Sequence, residues 1–209
     1  MKGCTRVMVW CATALTLMPC MAQSQTAWDS PLLLPPRPAD GIGIYLVDMS
    51  GGGIGLMGTW RSPVWNFGVR AGMSEGGAGD ELAVFGGVDF MGPVTTATAD
   101  LPVDVDWIVG AGMGINDGAR ISFPAGLTAS HSVQTEGARF TPFITPRIVL
   151  DGFIGGERRE RSRTVDLGFA LDIGLDLRLT GIEGPFAGST IRFAASVGDR
   201  SAIGIGLAF

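Results

Sequence analysis

Apolar and polar side chains alternate along residues 164–179. The odd-numbered residues carry large apolar side chains, and the even-numbered ones carry mainly Asp, Gly, Ala and Arg. Because successive side chains of a strand point to opposite faces, this pattern predicts a strand with one face toward hydrocarbon and one toward water or counter-charges. The segment is much longer than the ~5–6 residues of a usual soluble strand. Its length therefore favours a membrane strand over a soluble sandwich.

Segments with a similar alternation of apolar and polar residues follow one another from Gly41 onward, separated by Gly, Asp, Ser and Pro. Each is about as long as the ~9–11 residues that a tilted membrane strand needs. The predicted strands are 41–48, 53–62, 64–73, 80–91, 102–115, 118–130, 139–151, 164–179, 187–197 and 201–209. We predict an all-β fold, a transmembrane antiparallel up-and-down β-barrel of ten strands.

Three prolines leave eight strands open as the alternative. Pro124, Pro142 and Pro146 lie inside predicted strands, where each removes a ladder hydrogen bond. They indicate either bulges or bends in the wall, or different strand boundaries and a smaller barrel.

The last predicted strand alternates large and small side chains and ends on an aromatic residue. Ile203, Ile205, Leu207 and Phe209 share one face, with Ala and Gly on the other. This ending resembles the C-terminal signature of bacterial outer-membrane β-barrels, which the barrel assembly machinery of Gram-negative cells reads during biogenesis. The resemblance implies the outer membrane as location and outer-membrane lipid or lipopolysaccharide as surroundings. We expect Phe209 to face lipid and its strand to pair with the one beginning at Gly41.

The first 40 residues predict export rather than fold. Lys2 and Arg6 precede an apolar run too short to span a bilayer, so residues 1–22 are predicted to be a signal peptide cleaved after Ala22. All three cysteines lie within it. Residues 23–40 contain four prolines and predict an extended periplasmic leader, with a plug or a partner-binding segment as the alternative. Residues 41–209 form the predicted barrel.

Charge excludes nucleic acid as a partner. Removal of Lys2 and Arg6 leaves 13 basic residues against 20 acidic ones, a net charge of −7, and no basic stripe remains to neutralise phosphates. The sequence has neither a Cys/His cluster for zinc nor a phosphate-binding Gly-rich loop with Lys. We therefore expect no cofactor, no metal and no cofactor-binding residues, and the oligomeric state stays open.

Strand parity collects charges of both signs on the inward face. Paired charges are tolerated in a buried lumen, so the parity predicts a salt-bridge network that fills the lumen and fixes strand register. Inward glycines keep a narrow channel for small polar solutes, porin-like in character, as the alternative. The predicted lumen network comprises Arg61, Arg70, Arg120, Arg147, Arg178, Arg192, Asp89, Asp104, Asp106, Asp151, Asp166, Asp172 and Asp176.

Aromatic positions predict a membrane interface at one end of the barrel. If the N-terminus is periplasmic, several outward aromatics fall at periplasmic strand ends, as a girdle requires. The predicted periplasmic girdle comprises Trp60, Trp65, Phe90, Trp107, Phe140 and Phe209. Phe123 and Phe169 would mark the external girdle.

Two further features concern binding and catalysis. The Arg-rich connection 152–163 is predicted to be extracellular, either a solvated loop or a contact for lipopolysaccharide phosphates. The lipid A deacylase family resembles the region of His131 only loosely, because Ser132 is adjacent and Gln134 stands where Asn is expected. Adjacent strand residues point to opposite faces, so we predict no catalytic residues. The sequence predicts a non-enzymatic outer-membrane barrel with a structural envelope role; a lipid A-modifying enzyme is the distant alternative.

Overall fold

The computed structural model describes residues 41–49, 53–62, 64–75, 82–115, 118–154, 165–180, 184 and 186–209. The predicted signal peptide and leader, and most of the Arg-rich connection with its proposed lipopolysaccharide contact, lie outside these residues. None of the described residues forms a helix long and apolar enough to cross a membrane.

The described chain forms one antiparallel sheet that closes on itself. Its strands are β1 (Gly41–Met49), β2 (Gly53–Arg61), β3 (Phe67–Glu75), β4 (Leu82–Thr95), β5 (Asp104–Ile115), β6 (Ala119–Ser130), β7 (Val133–Gln134), β8 (Ala138–Ile154), β9 (Val165–Leu179), β10 (Thr190–Gly198) and β11 (Ala202–Ala208). The two-residue β7 pairs only with the start of β8. The other ten strands form the wall, so the prediction of a ten-stranded up-and-down barrel is confirmed.

Two pairings close the sheet into a ring. Along most of the wall each strand pairs with its sequence neighbours, and β6 pairs with β8 past the short β7. The last strand then pairs with the first, with Ala208 opposite Gly43, as predicted from the terminal pattern. The Phe209 backbone N–H donates to the carbonyl of Ile42 (2.9 Å). Closure removes the exposed edges that an open sheet would have.

The barrel has two rims, which we call the terminal rim and the opposite rim. The terminal rim carries the start of β1, the end of β11 and the connections β2–β3, β4–β5, β6–β8 and β9–β10. The opposite rim carries the remaining connections, including β10–β11. With a periplasmic N-terminus, the terminal rim is the periplasmic one.

Burial alternates along the wall and reverses the usual arrangement of a soluble protein. In β1 the outward Ile42, Ile44 and Leu46 are each more than half exposed, whereas the inward Tyr45 and Val47 are buried. The same alternation recurs around the ring, so large apolar side chains cover the outside. A continuous apolar outer face of this kind is stable only against hydrocarbon. The chain is therefore an outer-membrane barrel, as the sequence predicts.

Prolines do not shift the register at the positions that suggested bulges. Pairing of β6 with β5 and with β8 has the same register on both sides of Pro124 and Pro146. The one shift in the β4–β5 pairing lies between Pro93 and Thr95, near the terminal rim. The bulge interpretation of Pro124, Pro142 and Pro146 is wrong, and so is the smaller barrel.

Candidate functional site: the barrel lumen

Arginine and aspartate side chains line the lumen because strand period two sends them inward together. Among the described residues, the buried charged side chains are Arg61, Arg70, Arg120, Arg147, Arg192, Arg200, Asp89, Asp106, Asp151, Asp172 and Asp176. Burial of charge is costly unless it is paired and hydrogen-bonded. The geometry of the pairs therefore decides what the lumen can do.

Near the terminal rim, one carboxylate serves two guanidinium groups. Asp89 on β4 accepts from Arg70 on the adjacent β3 and from Arg61 on β2, one strand farther along the wall. A separate pair joins Arg192 on β10 to Asp176 on β9 through two hydrogen bonds of 2.5 Å. The Arg192 pair is bidentate, the geometry for which guanidinium and carboxylate are best matched.

Toward the opposite rim, a second carboxylate is shared in the same way. Asp151 on β8 accepts from Arg120 (2.5 Å) and from the hydroxyl of Ser122 (2.5 Å), both on β6. It also accepts from Arg200, which belongs to the turn between β10 and β11. Asp151 therefore links this turn to β8, which is separated from β10 by β9 in the sheet.

The middle of the lumen holds a third group. Arg147 Nε donates to Asp172 on β9 (2.8 Å), and Arg147 Nη2 lies 3.4 Å from the hydroxyl of Ser196 on β10. Both Arg147 and Asp172 are buried. The contact between Arg147 and Ser196 joins β8 to β10, with β9 between them.

Of the other predicted network residues, Asp106 on β5 is buried opposite Thr128, and three further residues lie near strand ends and are not buried. Asp104 accepts a hydrogen bond from the backbone N–H of Ala97 (2.8 Å) at the terminal rim. Asp166 accepts from the backbone of its neighbour Leu167 (3.1 Å), and Arg178 is exposed near the end of β9. Inward parity holds for these residues, but strand ends lie too near the rim for a side chain to be enclosed.

Arg200 is the charged lumen residue that sequence reasoning missed. It lies in a turn rather than in a strand, so strand parity does not apply to it. Its side chain is nevertheless only 2% exposed. A single arginine beside Asp199 in a tight Gly-Asp-Arg-Ser turn gives no pattern from which its direction could be predicted.

Aromatic rings cover several of the lumen glycines. Tyr45 lies opposite Gly206, Phe85 opposite Gly72 and Phe143 opposite Gly174, each across one strand pairing. In all three cases a Cβ built on the glycine would overlap the ring. These glycines therefore make room for side chains that lie flat across the inner wall.

These rings meet in one apolar cluster inside the barrel. The cluster draws on six of the ten wall strands, and it contains Tyr45, Val47, Met57, Phe85, Phe143, Ala194 and Ala202. The guanidinium of Arg192 stacks on the ring of Phe143 at 5.2 Å. The apolar cluster and the ion pairs thus form one packed interior.

The six residues of the predicted aromatic girdle lie on the outer wall near the terminal rim. All six residues are between 36% and 73% exposed: Trp60, Trp65, Phe90, Trp107, Phe140 and Phe209. Phe67 joins Phe90 at a ring separation of 5.2 Å. Trp65, Asn66, Phe67, Phe90, Met91 and Trp107 surround an open recess of about 430 Å³. Phe123 and Phe169 are exposed on the outer face of β6 and β9.

His131 and Ser132 engage different neighbours at the terminal rim. Nδ1 of His131 contacts the carbonyl of Pro102, while the Ser132 hydroxyl lies 2.9 Å from that of Thr141. Both residues are exposed. Within the described part of the chain, no group of three or more His, Cys, Asp and Glu is arranged to hold a metal ion.

Comparison with known proteins gives a fold likeness and no family. No family model and no curated protein matches the chain. A solved structure, titled as the crystal structure of the outer membrane enzyme PagL, is similar with 11% sequence identity and a TM-score of 0.36. The likeness covers 79% of this chain and 97% of that one.

This comparison corrects one prediction. The sequence-based prediction that the chain is not an enzyme is contradicted, because the matched structure is that of an enzyme of the outer membrane. At so low an identity and TM-score, the match assigns neither an activity nor a catalytic residue to this chain.

Proposed function

We propose that this chain is a structural component of the outer membrane, a barrel with a packed lumen and with bilayer lipid against its outer face. The apolar cluster inside the barrel carries the proposal. Tyr45, Phe85 and Phe143 come from β1, β4 and β8, which are separated around the ring, yet they belong to one buried cluster. The cluster is continuous along the inner wall, because residues of β2, β10 and β11 lie between these rings and the rings of Phe85 and Phe143 cover glycines of β3 and β9.

Ion pairs lie on either side of this cluster. The Arg61–Asp89 and Arg200–Asp151 contacts join parts of the chain that are not neighbours in the wall. Such contacts pass over the inner wall at Gly68 of β3 and Gly168 of β9, and their side chains occupy space that a channel would need. They support a filled lumen over the alternative of a passive channel for small polar solutes.

Lipid as the partner of the outer face is supported by the exposed apolar belt. Outward residues of β11 include Ile203 at 68% exposure and Ile205 at 45%. Burial of such side chains in hydrocarbon stabilises the folded barrel by roughly 25 cal/mol per Å² of apolar surface. Lipopolysaccharide is proposed only as part of this surrounding lipid.

Planar-bilayer recording tests the packed lumen. The wild-type protein is expected to show no conductance steps. A Tyr45→Ala, Phe85→Ala, Phe143→Ala triple variant removes the three rings and is expected to conduct, because the glycines beneath them leave open space. The control is a Phe90→Ala, Phe123→Ala, Phe169→Ala variant, whose changes are on the outer face and should leave the bilayer silent.

Folding must be checked for both variants. A folded barrel migrates differently on an SDS gel before and after boiling, so the comparison uses only protein that retains this shift. Conductance steps from the folded wild type would contradict the packed lumen and favour a channel.

A further inference from the structure

The three wall prolines share one property that is visible only in the paired sheet. The N–H of His131, next to the end of β6, donates to the carbonyl of Pro142 (3.2 Å), so position 142 directs its backbone groups toward β6. Backbone groups of alternate residues point to the same neighbouring strand. Pro146 therefore also directs its nitrogen toward β6, and proline has no hydrogen to donate.

Pro124 removes a donor on the other side of the same strand. The odd-numbered residues of β6 direct their backbone groups toward β8, so the even-numbered ones direct theirs toward β5. Pro124 is even-numbered, and the residue opposite it in the β5–β6 register is Gly110. All three missing donors thus fall on the two ladders that border β6.

One ladder is interrupted at Pro124 and the other at Pro146. Pairing between β5 and β6 skips from Val109↔Ala125 to Gly112↔Ser122. Pairing between β6 and β8 skips from Gly126↔Arg147 to Ala129↔Ile144. On the other side of β8, pairing with β9 runs without a break from Ala138 to Gly152. The prolines therefore weaken β6 selectively.

A side-chain contact bridges one of the gaps. Thr128 and Thr145 are opposite each other at the interruption between β6 and β8, and their hydroxyl oxygens lie 2.9 Å apart. Both side chains face the lumen and are fully buried. This side-chain hydrogen bond lies at the level where Pro146 lacks a backbone donor toward β6.

The lumen beside β6 holds apolar and polar side chains at this level, since the buried Arg147 is opposite Gly126 on β8 and the buried Asp106 is opposite Thr128 on β5. Gly126 has no side chain, and Ile108 lies opposite it on β5. Ile108 and its opposite residue Met91 on β4 form a small buried apolar cluster that is separate from the central one. Outside the same stretch of wall, Leu127, Ile144 and Ile148 are exposed toward lipid. Hydrocarbon can therefore meet apolar surface on both sides of the wall.

We propose that the wall opens laterally along β6 and admits a single acyl chain of a bilayer phospholipid, which contacts Ile108 and Met91. The weakened ladders supply the opening, and the apolar cluster behind Gly126 supplies the contact. The inference goes beyond the proposed function: Ile108 and Met91 are buried in the closed barrel, so the acyl chain reaches them only when the wall opens and displaces packed side chains.

Photo-crosslinking tests the route in the full-length protein. The barrel is folded into vesicles that contain a phospholipid with a diazirine at the end of one acyl chain, and adducts are mapped by mass spectrometry after illumination. Adducts on Ile108 and Met91 are expected in the wild type. Adducts confined to outward residues such as Leu127 would overturn the proposal.

A reversible lock makes the test specific. The predicted mature chain contains no cysteine, so a Thr128→Cys, Thr145→Cys pair can close the gap between β6 and β8 by oxidation. Oxidation is expected to abolish the adducts on Ile108 and Met91, and reduction is expected to restore them. The matched control is Ile144→Cys, Ile173→Cys across the unbroken β8–β9 ladder, whose oxidation should leave the adducts unchanged. Adducts that persist in the locked barrel would contradict lateral entry at β6.

Hydrogen exchange on the wild type provides a readout that needs no variant. Backbone amides of β6 on either side of the gaps are expected to exchange faster than those of β9 in the same vesicles. Equal protection of β6 and β9 would show that the wall does not open along β6.

Discussion

The ring of Tyr45 lies over Gly206, its opposite residue in the pairing that closes the barrel. Gly43 on the same strand also lies against this ring: a Cβ built there would be 2.7 Å from Tyr45 Cε2. The seam between the first and last strands is therefore packed by one aromatic side chain on two glycines. Closure of the ring and filling of the lumen depend on the same contact.

Gly206→Ala is expected to destabilise the folded barrel by about 1–3 kcal/mol, because the added methyl group overlaps the ring of Tyr45. Equilibrium unfolding in lipid vesicles measures this change. Gly58→Ala is the matched control, since a Cβ there faces outward and meets only the Ala71 carbonyl at 3.9 Å. If Tyr45→Ala does not relieve the cost of Gly206→Ala in a double-mutant cycle, the overlap is not its cause.

Asp151→Asn is expected to destabilise the barrel by roughly 3–5 kcal/mol, because it leaves the Arg120 and Arg200 guanidinium groups without the carboxylate that they share. The control is Asp166→Asn, which alters the residue directly opposite Asp151 on β9. Within the described part of the chain, Asp166 accepts an exposed local hydrogen bond from Leu167, so its substitution should change stability by less than about 0.5 kcal/mol. Equal effects of the two substitutions would argue against a shared carboxylate at Asp151.

Leu46→Arg is expected to reduce stability by about 2–4 kcal/mol, because its outward side chain lies in the middle of β1 and faces hydrocarbon. The fraction of protein with heat-modifiable gel mobility, measured across a denaturant series, reports the loss. Leu101→Arg is the control, since Leu101 is exposed in the β4–β5 connection at the terminal rim, where an arginine costs ~0–1 kcal/mol. A neutral effect of Leu46→Arg would contradict lipid contact at β1.

Pro146→Leu is expected to stabilise the barrel by about 1 kcal/mol, because it restores an N–H donor toward β6 and keeps an apolar side chain toward lipid. Pro102→Ala is the control: Pro102 lies in a rim connection outside the wall strands, and its replacement should give a small loss through the freer unfolded chain. Unfolding midpoints of the two variants should therefore move in opposite directions. A loss of stability in Pro146→Leu would indicate that proline causes no deficit in the β6–β8 ladder.

Much of the wall was predictable because strand periodicity is local. Alternation along β9 and β11 located each strand to within a few residues and assigned Phe209 to the outer face. Parity also placed Arg70 and Asp89 on the same inward face. It could not say that Arg61 shares this carboxylate, because the contact depends on the distance across β3.

The lumen was less predictable because its contacts join residues far apart in the chain. Inward glycines such as Gly206 and Gly174 suggest open space when only their own strands are considered. The neighbouring strand supplies a ring over each, and that pairing follows from register. Arg200 was missed for a related reason, since a turn residue has no parity until the turn is placed over the lumen.

The sequence by itself determined that this chain is a membrane barrel and which face of each strand meets lipid, whereas the choice between ten and eight strands needed the paired sheet. These properties follow from a period of two and from the cost of exposing apolar side chains to water. Only the tertiary structure decided what the inward face does. Ring closure sets which side chains meet in the lumen, and strand pairing places the missing donors of Pro124, Pro142 and Pro146 on the two ladders that border β6.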